Sequence, residues 1–544
     1  MRLLRPFPAF LIAAFLVGVS VSLPAAWTRA QAVEGDLRSL LSGEVILRIA
    51  GRPLDRAALG RFYESRDFLP IWVTSPAREA ALRSALARAP AHGLDPAAFA
   101  IADVGEGERE LLLTDAFLRY AAALGQGRIS AADIEEDWAL RRADFDPAAA
   151  LDRASAGDVA AVLQALAPEE PAYTRLQAAL ARYEALAAAG GWPVVPNVGK
   201  LKLGDNSSAV MKLRRRLAVE GYLDDATPSR DFDEAVESAV KRFQAQHGIA
   251  VDGHVGPATL EALNRPAAAR VEQIKVNLER WREAPRHWPA TRIEVNVPAA
   301  WLTVIDHGEP AFGMRAIVGA ENHPTPVLRA YMNAVLFNPP WNLPASIVKK
   351  EILPHLRQDP HYLERNHYVW LGQPRRSAMQ QLPGADNALG RIKFELPNVY
   401  DVYLHDTSSH PLFGRVVRTL SHGCVRLEEP RELALYVLAG KSGFETAEDI
   451  ENAIAPGTTQ RVFLPHALPV YLIYWTAFVD EDGAVEFRDD IYARDVRLAA
   501  AMARRDAEEW LVPPVPATAA TPIVRAGAAV AVPAPRPNAG TVTE

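Results

Sequence analysis

The sequence predicts an α+β multidomain protein in which two helical units precede a mostly β domain that carries a helical insertion. Three patterns predict it. Residues 33–190 are rich in alanine and leucine at helical spacing, as in A-L-R-S-A-L-A-R-A at 81–89 and L-Q-A-A-L-A-R-Y-E-A-L at 176–186. Residues 201–264 carry apolar positions one helical turn apart, at Leu203, Val210, Leu213, Leu217 and Tyr222 and again at Ala235, Val236, Val240 and Phe243. From residue 292 the pattern changes to strict alternation, R-I-E-V-N-V, as a half-buried strand requires. At 544 residues the chain is too long for one ordinary domain.

Taken in order, the chain opens with M-R-L-L-R, an apolar run over 9–23 and small residues ending in A-x-A at Ala30 to Ala32. A basic start, a short apolar core and that site predict a signal peptide at 1–32. An uncleaved membrane anchor is the alternative, because the run approaches the length that spans a bilayer. Residues 33–190 form the helical scaffold, and G-G-W-P-V-V-P-N at 190–197 reads as a linker. The second helical unit covers 198–265, and a helix at 270–281 leads to the β domain at 290–466. There W-L-T-V-I-D and M-R-A-I-V-G are strands, and residues 348–389, polar with interleaved aromatics, form the helical cap over a groove. A hairpin around E-D-G and a helix over 496–510 fill 467–510, and the Pro- and Ala-rich 511–544 is expected to be a flexible tail.

The chemistry gathers at 399–440. Cys424 is the only cysteine, with His422 two residues before it and His405 nineteen before it. In an exported chain a lone cysteine is a reactive thiol worth flagging. A thiol titrating near about 8.5 needs a base, and an imidazole can take its proton and return it to a leaving amine. The β-branched and aromatic 399–404 predicts a strand ending at His405, and 416–420 predicts a second, antiparallel strand. His405 is preferred as base, and His422 shares the face of Cys424 by alternation. Such a pair predicts a thiolate that alkylates well below pH ~8.5. Gly423 gives close access to the thiol, and the amides of Gly423 and Cys424 are candidate oxyanion donors. Arg426 either favours the thiolate or braces the loop, with bracing preferred. Arg391 and Lys393 either meet a carboxylate or form a solvated edge. Trp341, beside prolines, either packs or contacts substrate. No CxxC or HExxH spacing supports a metal, and neither metal nor cofactor is expected. A net charge of −7, about −10 without Arg2, Arg5 and Arg29, and the lack of a basic stripe exclude nucleic acid as a partner.

H-D-T at 405–407 with S-H-G-C-V-R at 421–426 resembles the active-site signature of the L,D-transpeptidases of bacterial cell walls. F-N-P-P-W-N-L-P at 337–344 is similar to the larger periplasmic members, as is Asp406, which stands where glycine is commoner. Residues 201–264, with L-x-x-G-D, G-Y-L, D-G and G-P-x-T-L-x-A-L-N, resemble a small peptidoglycan-binding domain. The resemblance implies a periplasmic enzyme in which Cys424 attacks a peptidoglycan stem peptide, with His405 as base. A thioester then passes to an amine of a second stem, giving a 3-3 cross-link. It implies stem peptides and glycan as partners, with other cell-wall synthesis enzymes as further candidates. Two alternatives remain at this stage: a carboxypeptidase using the same thioester, and a non-catalytic wall-binding protein.

Overall fold

A computed structural model describes residues 25–43, 46–140, 145–224, 228–372 and 378–507. The expected tail, most of the signal peptide and the end of the last helix lie outside them. The first helix, Ala25–Leu41, contains the expected cleavage site. Among its described side chains the first buried one is Val33, followed by Leu37 and Leu41, so their packing begins where the mature chain is expected to start. No described helix is long and apolar enough to cross a membrane.

The hairpin of β1 (Leu47–Ile49) and β2 (Arg52–Leu54) is followed by helices up to Pro171–Ala188. They pack around Glu106–Gln126, whose alanines and leucines are buried on nearly every face. The second unit is three helices, Ser208–Val219, Glu234–Gln246 and Pro257–Asn264. Ser207 and Asp233 cap the first two through their side chains, and Gly256-Pro257 starts the third. Two expected core positions are exposed: Leu203 precedes the first helix, and Ala235 lies on the outer face of the second. The expected linker is packed. Val195 exchanges backbone bonds with the Asn264 side chain, and Arg216 lies 3.8 Å over the Trp192 ring.

The β domain contains β3 (Arg292–Asn296), β4 (Trp301–Asp306), β5 (Glu309–Gly319), β6 (Leu328–Phe337) and β7 (Trp341–Leu343). After the cap come β10 (Ile392–Glu395), β11 (Leu404–His405), β12 (Thr419–Ser421), β13 (Val425–Leu427) and β14 (Gln460–Ile473). The sheet order is β12-β5-β13-β11-β10-β6-β14-β3-β4, and β4 also pairs with β5, which closes the sheet on itself. The alternating residues Ile293, Val295, Leu302, Val304, Val335 and Phe337 fill its interior. Closure leaves only β12 as an appended edge. The long β14 continues the strand expected at 460–464 into the following aromatic run, so the sheet extends beyond residue 466.

Three expected elements take other forms. The strand expected over 399–404 is only Leu404–His405. The Asn398 side chain accepts from Tyr400 N and Val402 N, and Asp401 sits at φ +52°, so the chain turns before it can pair. The second strand is β12, which pairs parallel with β5, while β11 pairs parallel with β13; the expected antiparallel pair does not form. Val416 and Val417 are left exposed. The cap is half helical: beyond Leu353–Gln358 and Tyr362–Arg365, β8 (Tyr368–Leu371) and β9 (Ala378–Gln381) form a small sheet with β7. The C-terminal hairpin, β15 (Ala477–Val479) and β16 (Val485–Phe487), and the helix Arg494–Ala507 follow.

Candidate functional site

The register of three neighbouring strands assembles the site. Lys393 of β10 stands opposite His405 of β11, which stands opposite Arg426 of β13. Residues alternate along a strand, so Tyr403 and Cys424 continue the same face one step back, while Leu404 and Val425 enter the core. The sheet therefore brings Cys424, His405 and Arg426 together. It also adds Lys393 and a residue the sequence reading missed, Tyr403. The signal for Tyr403 was its position two residues before the histidine.

The thiol of Cys424 sits 3.9 Å from the Asp401 carbonyl. Burial pushes its titration up, while the Tyr403 N–H and hydroxyl, Lys393 and Arg426 pull it down; burial wins. The Tyr403 phenol is held high by its own burial and by the adjacent thiolate, and it accepts a bond from Trp341. Trp341 is thus linked to the site through Tyr403. Lys393 Nζ lies 3.8 Å over the Tyr403 ring. Burial lowers both Lys393 and Arg426, and Cys424 acts on each in the opposite sense.

His405 is buried, and burial with the nearby Arg426 guanidinium lowers its titration to about 3. Its Nδ1 contacts the Asp406 carbonyl at 2.5 Å, and the Leu389 carbonyl also favours the charged ring. A neutral thiol beside a neutral imidazole is the resting state, in place of the expected thiolate–imidazolium pair. The cause is that burial disfavours both charges.

Asp406 is a structural hub. Its carboxylate accepts from Arg391 N and Thr407 N, both at 2.7 Å, and contacts His410 Nε2 at 3.1 Å. Arg391 thus contributes its backbone there, and its side chain lies partly exposed just before β10. A Cβ on Gly390 would fall 2.3 Å from the Asp406 Cγ, so only glycine fits against this carboxylate.

Gly423 has φ +109°, a conformation suited to glycine. Its N–H donates to Ser421 Oγ at 3.1 Å and its carbonyl accepts from Thr325 Oγ1 at 2.9 Å. The expected Gly423 oxyanion donor is therefore already engaged. His422 faces the cap, with Nε2 2.8 Å from Glu351 Oε1 and its ring 4.8 Å from that of His323. Arg426 makes no side-chain hydrogen bond to the turn among the described residues, and its Nε is buried without a partner. Arg426 is thus a half-buried cation on the site face.

Residues 290–458 match the model described as "L,D-transpeptidase catalytic domain", 206–263 match "Putative peptidoglycan binding domain" and 57–180 match "Scaffold domain". A "Putative L,D-transpeptidase" of Haemophilus influenzae is 30% identical over 292 residues, 49% of this chain and 59% of that protein. An N-acetylmuramoyl-L-alanine amidase of Mycobacterium tuberculosis is 42% identical over 72 residues, 12% of this chain and 18% of that protein. The chain thus spans less than two thirds of either relative. Among solved structures, an L,D-transpeptidase from Mycobacterium smegmatis is 15% identical, covering 34% of this chain and 58% of that one, with a TM-score of 0.19. One from Stackebrandtia nassauensis is 13% identical, covering 52% and 96%, with a TM-score of 0.22.

Proposed function

We propose that this chain, which carries an L,D-transpeptidase catalytic domain at residues 290–458 beside a peptidoglycan-binding domain, makes 3-3 cross-links between peptidoglycan stems through a thioester on Cys424. The observation that carries this reading is the face shared by Cys424, Tyr403, His405, Lys393 and Arg426. His405, neutral above about pH 3, takes the thiol proton as sulfur attacks the carbonyl of the third stem residue. The Asp406 and Leu389 carbonyls stabilise the imidazolium that results. The Tyr403 hydroxyl and the Cys424 N–H hold the oxyanion, since the Gly423 N–H is taken by Ser421. The terminal D-alanine leaves with the proton that His405 returns. Arg426, with its free Nε, and Lys393 hold a stem carboxylate, and Arg391 extends this basic edge. Trp341 sets the Tyr403 hydroxyl. Resolution of the thioester by a second stem amine completes the cross-link.

This work belongs outside the cytoplasm, in the periplasm, after export by the signal peptide at 1–32, with other cell-wall synthesis enzymes as partners. One observation favours a second reading, hydrolysis of the thioester. The cap meets the cysteine turn through Glu351 and His422, which are both nearly half exposed, and so excludes water weakly there. Incubation with muropeptide tetrapeptides, followed by mass spectrometry, tests the two. A dimer lacking one D-alanine, lost in Cys424→Ala, is expected. Tripeptide alone would assign the protein to the hydrolases.

A further inference from the structure

The scaffold holds a cavity of about 1060 Å³ that shares no residue with the catalytic face. It lies where the turn Ala89–His92 meets the helices Glu106–Gln126, Val159–Gln164 and Pro171–Ala188. Its size matches the upper limit, roughly 1,000 Å³, of clefts that enclose a ligand. Leu124 and Leu163, both buried, and the short side chains of Ala161, Ala165 and Ala178 give it an apolar lining.

Three donors on that lining have no partner among the described residues. Tyr120 is 2% exposed, and its hydroxyl makes no hydrogen bond. A buried hydroxyl left unbonded is costly, and a ligand's acceptor would relieve it. His92 supplies the second donor. The Gln177 amide nitrogen donates to the Ala91 carbonyl and to His92 Nδ1, both at 3.1 Å, and the Tyr173 hydroxyl lies 2.8 Å from the same Nδ1. Burial, helped by Arg282 and Arg88, keeps this imidazole neutral above about pH 3. An accepting Nδ1 on a neutral ring leaves the proton on Nε2. Arg88 is the third, an exposed guanidinium with no ion pair, whose charge acts on both Tyr120 and His92. Arg282 fixes the histidine by donating to its carbonyl at 2.6 Å and to the Tyr173 hydroxyl at 3.2 Å. Tyr120 and His92 are thus in position before a ligand arrives.

The charge on offer is that of one cation. Glu169 is the single carboxylate on the lining, and Arg286, outside the cavity, answers it. A matched ligand carries one negative charge on an apolar body, and a carboxylate can accept from all three donors. Gln164 and Thr174 add amide and hydroxyl groups that suit a peptide backbone, whereas an alkyl chain would bury them unbonded. A wall stem also carries a side-chain amine, and with Glu169 answered by Arg286 the cavity has no carboxylate left to meet it.

We infer that this cavity binds the free C-terminus of a partner protein, an extended peptide that ends in an apolar residue. Arg88, the Tyr120 hydroxyl and the His92 Nε2–H take the carboxylate, and the apolar lining takes the last side chains. The scaffold is then a recruiting module, and its binding is independent of the thioester reading above.

The test offers the full chain an array of random hexapeptides attached through their N-termini and ending in free carboxylates, beside the same array amidated. Peptides ending in apolar residues are expected to retain the protein, and their amides about tenfold less. The best free peptide, labelled with fluorescein, is then titrated by polarisation. Arg88→Gln is expected to weaken it about three- to fivefold, because the guanidinium is exposed. Tyr120→Phe, which keeps the ring, is expected to weaken it about tenfold. Arg431→Gln, on the catalytic domain, is expected to leave it unchanged. Retention that ignores amidation, an affinity that ignores Arg88 and Tyr120, or an array that retains nothing would overturn the site. Laurate or a muropeptide tetrapeptide displacing the peptide at equal concentration would overturn the choice of a protein as its occupant.

Discussion

Replacing Tyr403 with phenylalanine removes one hydroxyl from the face of the Cys424 thiol and tests how the nucleophile is generated. Burial raises the thiol, and the Tyr403 hydroxyl is among the groups that draw it back. A hydrogen bond to a charged group contributes about 1.5–3 kcal/mol. At about 1.36 kcal/mol per unit, its loss moves the thiol up by about one to two units. The wild-type midpoint is expected above the ordinary ~8.5 of a free thiol, and that of Tyr403→Phe higher still. The assay is the rate of alkylation by iodoacetamide as a function of pH, followed by intact mass. His405→Ala sharpens it. A buried imidazole that is neutral across this range contributes no charge, so its removal leaves the alkylation midpoint in place while abolishing turnover. A wild-type midpoint well below 8.5 that rises in His405→Ala would refute the reasoning and restore a thiolate–imidazolium pair. An unmoved midpoint in Tyr403→Phe would show that the phenol does not meet the thiolate.

Three further outcomes follow from the geometry. Asp406→Ala leaves the Arg391 and Thr407 N–H groups without their acceptor and is expected to cost about 1–3 kcal/mol, read as a lower urea midpoint. Glu351→Gln alters a contact with His422 that is nearly half exposed, so stability changes by under about 1 kcal/mol, while the tripeptide share of the product rises as the cap loosens. His92, half-buried between Tyr173 and Tyr120, is lowered by desolvation to about 3 in the fold from 6.5 when free. A depressed value means that protonation favours the unfolded chain. Its contribution is complete above 6.5 and lost as pH falls towards about 3. The Tm of His92→Gln should therefore fall less steeply than wild type across that window.

The candidate site was largely legible because its chemistry is written in residue types. One cysteine, a histidine nineteen residues before it and a glycine beside it need no tertiary information to be noticed. What sequence could not give is which strands are neighbours. The segment at 399–404 has the composition of a strand, yet the Asn398 side chain and Asp401 at φ +52° turn it away until Leu404. Parallel pairing of β11 with β13 then puts Tyr403 beside Cys424, a neighbour invisible in the order of residues. Burial was also illegible, and it is burial that makes the thiol and the imidazole neutral at rest. The three helices over 208–264 were easier, since caps and apolar spacing are local signals that agree with one another.

The scaffold stretch at 135–139, whose Ala139 N–H donates to the Val327 carbonyl, also meets distant parts of the chain. Asp137 finds Arg494 across 357 residues of chain, and Glu135 finds Arg497 across 362. Contacts of such separation form late, because the loop they close is about two thirds of the chain. The helices, the three-helix unit and the closed sheet can each gather locally first. The wall beside the cysteine turn is completed only when the scaffold stretch at 135–137 and the helix Arg494–Ala507 have met.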